Sequence, residues 1–229
     1  MVRGSVKTPD PIDDPAIPGL LSLGRHGTYL AATNDDHGRA VRLYAWNIEA
    51  SAAFWGGFHL LEVCLRNTLN VQLTDLAGRD DCWQSGLLLQ HEQQRRVTEA
   101  TRFVSADKGS AATPGHVVAE LTFAFWTALL ANRYHRSLWE PALQYAFPYH
   151  QGRRGDVHAS LERLRKLRNR IAHHEPIFAR NLAGDHQQVL TLLAAIDPAM
   201  RTWAERDSRA PSVLAKRSAV LGGELPTSF

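Results

Sequence analysis

The stretch from Leu164 to Phe178, LRKLRNRIAHHEPIF, places an arginine, a neutral amide and two adjacent histidines near the predicted end of a helix. Histidine titrates near neutrality and can move the proton of a hydroxyl nucleophile. Arginine carries a permanent, planar charge that can hold two phosphate oxygens and stabilise charge as it builds. An asparagine can orient either partner. The combination suits phosphodiester chemistry, with Arg168 as phosphate clamp, His173 as acid/base and Asn169 assisting. It requires no metal when the substrate is RNA, whose 2′-hydroxyl is a built-in nucleophile. Asn169 and His173 are four residues apart and share a helix face. Arg168 and His173 are five apart, about 140° around an ideal helix, and meet only if the helix end distorts or the long arginine reaches around. Arg168 follows Leu164 by one turn, so it borders the apolar stripe.

Plainer readings compete. A His–His pair ahead of Pro176 can cap a helix C-terminus, where cations are favoured. Arg163, Arg165, Lys166 and Arg170 read as a solvated face. Metal binding by His173, His174 and Glu175 is disfavoured, because consecutive helical residues point about 100° apart, and the chain has no HExxH pattern.

The elements that must position these residues are helical. Val157, Leu161, Leu164, Leu167 and Ile171 form one side of a helix predicted over 156–173, with Asp156 as N-cap and Pro176 fixing its end. Phe54, Phe58, Leu61, Leu65, Leu69 and Leu73 mark the buried face of another helix that stops at Gly78. That helix carries a second, polar stripe of His59, Glu62, Arg66 and Asn70, with Asn67 beside it. Glu62 and Arg66 read either as a simple i,i+4 pair or as groups packed beside Arg168 and His173. Gly115 to Tyr134 is apolar nearly all round and is expected to be one central helix. Glu120 within it should be paired, with Arg66 and Arg168 as candidate partners. Tyr44, Trp46, Asn47, Trp55, Trp126 and Trp139 read as core. Further helices are expected over 20–32, 39–54, 88–104, 138–146, 177–197 and 198–206. The whole is an all-α single domain of about seven to nine helices. Residues 1–19 read as an irregular arm, 20–207 as the helical domain and 208–229 as a loose tail.

Composition narrows the class. Of 229 residues, 44% are apolar and 21% charged, which excludes wholesale disorder. Two cysteines, Cys64 and Cys82, cannot build a disulfide framework or a four-cysteine zinc site. No apolar run reaches the 18 residues of a membrane span, and Met1 to Gly19 lacks an apolar leader, so a cytoplasmic protein is expected. The net charge of +3 is weak evidence for a nucleic-acid partner. It conceals a local excess: residues 153–170 hold seven basic residues against two acidic ones. Such a patch can attract a phosphate backbone.

The segment Arg168 to His173, RNRIAH, resembles the R-x(4–6)-H motif of the HEPN superfamily. The longer string LRNRIAHHEPI resembles its bacterial Abi-like (abortive-infection) proteins. LYAWN (43–47), LEVCLRN (61–67), VVAELTFAFW (117–126) and the Leu138–Trp139 pair after Arg136 are similar to that family in the same order, so the likeness spans roughly residues 20–200. The resemblance implies a HEPN helical bundle. It implies a metal-independent endoribonuclease, without cofactor, that works as a homodimer with the Arg and His of both subunits meeting across a two-fold cleft. Arg168 and His173 then take the catalytic roles and Asn169 the assisting one. His174, Glu62, Arg66, Asn67, Glu120, Arg165, Lys166 and Arg170 are expected around them, supporting the site or contacting RNA. Phage defence or a toxin–antitoxin-like role, with a cognate antitoxin or defence partner, follows at the level of the family. The rival expectation is a non-catalytic RNA- or protein-binding module.

Overall fold

The longest apolar stripe builds the longest element. In the computed structural model, which describes residues 16–85 and 89–229 apart from the Leu23 side chain, Phe54, Phe58, Leu61, Leu65, Leu69 and Leu73 are all buried along helix α3, His37–Ala77. Its 41 residues make it about 60 Å long. Asp36 caps its start by accepting from the Arg39 backbone N–H, and Gly78 ends it at a left-handed φ of 66°. Two helices are predicted here, separated near Gly56, but the structure has one. Each mid-helix glycine costs about 1 kcal/mol against alanine, and burial of Ala53, Phe54 and Phe58 around the pair outweighs that. Gly57 also permits a close crossing: a Cβ on it would lie 3.4 Å from Val189 Cγ1 of α8 (Leu182–Ile196).

The architecture is an all-α bundle, with no strand among the described residues. Ahead of α3 stand α1 (Ile17–Leu20) and α2 (Leu23–Ala31), parted by Ser22 at φ 68°; the arm expected over 1–19 lies mostly outside the described residues. After α3 come α4 (His91–Lys108), α5 (Pro114–Glu120) and α6 (Phe123–Ala128), then short 3-10 and π turns between Asn132 and Ala146. The motif helix α7 spans Arg154–Ala172 and buries Val157, Leu161, Leu164, Leu167 and Ile171, packing against α6 and α8. Asp156 lies in its first turn, where its carboxylate accepts from the Arg153 N–H.

The helix expected over 115–134 is broken. Leu121 is extended, with ψ 127°, and the Thr122 hydroxyl restarts the chain by accepting from the Phe125 N–H at 3.3 Å. Uniform apolarity has no phase that distinguishes one helix from two, and the lone hydroxyl of Thr122 was the only cap signal. The tail expected over 208–229 is also different. It contains α10 (Ala210–Ala215) and α11 (Arg217–Leu221), which follow α9 (Pro198–Asp207) and pack on α3. Trp46 Nε1 donates to the Val213 carbonyl, Lys216 pairs with the buried Glu49 at 2.6 Å, and the Arg217 guanidinium lies over the Trp46 ring. Those anchors reside on α3, which is why the tail looks unstructured when read alone.

The link between α7 and α8 is held by a buried carboxylate. Asp185, 0% exposed, pairs with Arg163 of α7 at 2.7 Å and with Arg180 of the link at 3.0 Å. The helix predicted over 177–197 consequently begins only at Leu182, capped by Asn181.

Candidate functional site

Arg168 leaves α7 toward the polar stripe of α3. Its Nε donates to Glu62 Oε1 at 2.9 Å, and its guanidinium carbon lies 5.6 Å from the centre of the Trp55 ring. Glu62 thus takes Arg168, not Arg66, as its ionic partner. Neither end of the pair is deeply buried, with Arg168 33% and Glu62 24% exposed. Held through Nε, the guanidinium has no partner at its Nη groups among the described residues, and those are donors that a phosphate can use. Trp55, read as core from the sequence, is 41% exposed. It stands two turns before Glu62 on the same face as His59, so the stripe carried a signal for it.

Arg168 and Asn169 line a cavity of about 410 Å³ with Glu62, Arg66, Glu120 and Trp126. The break at Leu121 forms its far wall. Glu120 departs from expectation: it is exposed at the end of α5 and forms no ion pair among the described residues. The chain break turns its carboxylate to water, so no buried charge demands an arginine. Arg66 meets the backbone instead, its Nη1 3.5 Å from the Ala119 carbonyl, while its buried Nε has no partner among the described residues. Asn67 is exposed and does not line that cavity.

His173 does not line that cavity. It is the C-cap of α7, exposed, with its N–H on the Asn169 carbonyl. His174 follows at φ 56°, in the left-handed region. The His174 N–H reaches the Ile171 carbonyl and the Glu175 N–H the Arg170 carbonyl, the two bonds of a Schellman cap. Glycine normally holds that left-handed position, so capping alone does not account for a histidine there. The backbone around the pair is fixed from afar. Arg25 Nη1 donates to the His174 carbonyl at 2.6 Å, and buried Asn47 accepts from the Ile177 and Phe178 N–H groups at 2.8 and 3.2 Å. No local pattern marks Arg25, which acts across 149 residues.

The basic helix is less free than its charge count implies. Arg163 is on Asp185, Arg165 on Glu162, Arg168 on Glu62 and Arg170 on Glu175. Arg154 reaches the Leu130 carbonyl and Asn132. Lys166 is exposed without an ion pair among the described residues. Arg165 holds the Glu162 carboxyl below the usual carboxylate range. His59 lines an apolar groove with Trp203 of α9.

Among the described residues no three His, Cys, Asp or Glu side chains are grouped to hold a metal ion, and no helix is long and apolar enough to cross a membrane. No known family model, curated protein or solved structure matches the chain.

Proposed function

We propose that the chain is a metal-independent endoribonuclease of the HEPN type, acting as a homodimer in phage defence or a related toxin–antitoxin system. The observation that carries the reading is the state of Arg168: gripped through Nε by Glu62, laid over Trp55, and without a partner at its Nη groups among the described residues, beside a cavity it shares with Asn169. Such preorganised charge needs no rearrangement as a phosphorane develops. His173 takes the proton of the 2′-hydroxyl, O2′ attacks phosphorus, and the 5′-oxygen leaves with a returned proton. The products are a 2′,3′-cyclic phosphate and a 5′-hydroxyl. His173 is exposed at the helix end, open to a second subunit, so the proposed site is completed between two chains.

Its test is the chemistry of the cut. Cellular RNA incubated with the protein in EDTA should yield 2′,3′-cyclic phosphate ends, and a 2′-deoxy substitution at a mapped cut should abolish cleavage there. Cleavage persisting at the deoxy position overturns the mechanism.

One observation favours the second reading, a non-catalytic RNA- or protein-binding module: within one chain, His173 stands outside the cavity of Arg168. That reading predicts RNA retention without turnover.

A further inference from the structure

The cavity beside Arg168 holds more hydrogen-bonding capacity than the protein uses. Arg66 has a buried Nε without a partner. Trp126, only 2% exposed, has an unpartnered Nε1. Glu120 presents an exposed carboxylate that makes no ion pair among the described residues, and the Asn169 amide adds a donor and an acceptor of its own. Arg66 and Trp126 thus carry buried atoms that no group among the described residues meets, while the half-buried Asn169 and the exposed Glu120 are the groups open to a ligand in the cavity. Leu121 and Phe123 give the same cavity apolar walls. Its volume, about 410 Å³, falls in the range of small-ligand sites, about 300–1,000 Å³.

We propose that this cavity binds the base of the nucleotide whose phosphate Arg168 holds, and that it selects guanine through Glu120 and Arg66. The inference rests on the nuclease reading for its phosphate and on the cavity for its base. Single-stranded RNA exposes both edges of its bases to such readout. Guanine carries two adjacent N–H donors, N1–H and N2–H, that occupy both oxygens of one carboxylate. Its O6 and N7 acceptors suit a guanidinium or amide donor. Adenine and cytosine offer a single amino group and uracil a single ring N–H, so each leaves one Glu120 oxygen bare. Leu121 and Phe123 flank the faces of the ring. Glu120 is therefore a specificity residue, and its exposure at a chain break is what lets it meet a ligand.

The experiment is calorimetric titration, in EDTA, of the full chain with the 3′-monophosphates of guanosine, adenosine, cytidine and uridine, and with inorganic phosphate. The guanosine nucleotide should bind at least about tenfold more tightly than the other three. Glu120→Gln should reduce that preference below about threefold. Glu120→Asp should retain part of it, and both variants should melt as the parent does, since Glu120 is exposed. Equal binding of the four nucleotides, no binding of any, or a guanine preference that survives Glu120→Gln overturns the proposal. RNA cleavage that depends on Arg168 and His173 without base preference removes the guanine pocket and leaves the nuclease reading. Guanine-selective binding without cleavage does the reverse.

Discussion

Glu62 accepts a hydrogen bond from Arg168 Nε at 2.9 Å, tying the long central helix to the motif helix across 106 residues of sequence. The contact is single-edged. It fixes the direction of the guanidinium and leaves the Nη edge for an anion, with Trp55 beneath the plane.

Replacing Glu62 by glutamine removes the charge and keeps the shape. Because the pair is part-exposed, stability should change by less than about 1 kcal/mol. Turnover of RNA should fall by at least about tenfold, since small misplacements of a catalytic group are costly. KM should move by less than about threefold. Single-turnover cleavage with a urea melt checks both halves, and unchanged turnover would remove Glu62 as the positioning residue.

Asp185 has the opposite character. It is buried completely between Arg163 and Arg180, so Asp185→Ala leaves two arginines facing an emptied site. The expected loss is about 3 kcal/mol, the low end for a broken buried pair, because Arg163 is itself half-exposed. Denaturant unfolding measures it; a loss below about 1 kcal/mol would mean that the link between α7 and α8 is held by other contacts.

His174 sits where the backbone favours glycine. His174→Gly should raise stability by about 1 kcal/mol by relieving the left-handed conformation. Thermal unfolding of the two proteins side by side is sufficient, and a destabilised variant would show that the His174 ring makes a compensating contact.

Burial pushes the imidazoles of His158 and His186 below their ordinary range. The fold therefore favours the neutral form of both rings, and the unfolded chain takes up their protons first as the pH falls. Their contribution to stability is full above about pH 6.5, the unfolded value, and is lost as the pH falls toward the folded values. Glu162, held low by Arg165, adds a second loss below about pH 4.3 as its carboxylate protonates. The urea midpoint should fall from pH 7.5 to 5.5, and fall less in a His158→Gln/His186→Gln double variant. A midpoint flat over that window contradicts the assignment.

The fold and the site were legible to different depths. The α7 and α3 stripes were readable because each buries a single face, so period and phase survive in the sequence. The 115–134 stretch was not, since a segment apolar on all sides carries no phase, and its misreading also buried Glu120. The tail was misread because its anchors, Trp46 and Glu49, belong to α3. Within the site, helical spacing grouped Glu62 and Arg66 on one polar stripe of α3, and their place beside Arg168 was one of two open readings. Arg25 and Asn47, which fix the loop after His173, act through backbone groups that leave no side-chain pattern. The count of basic residues overstated the free charge, because their carboxylate partners come from other elements or other turns.

The central claim is that Arg168 and His173 together cut RNA. Its most direct measurement is the cleavage rate, in EDTA, of one RNA by the parent chain, Arg168→Ala and His173→Ala at equal folded concentration. The account predicts a loss of at least about 100-fold in each variant, the scale of a missing acid/base or of missing charge stabilisation. A rate unchanged in both variants would contradict it.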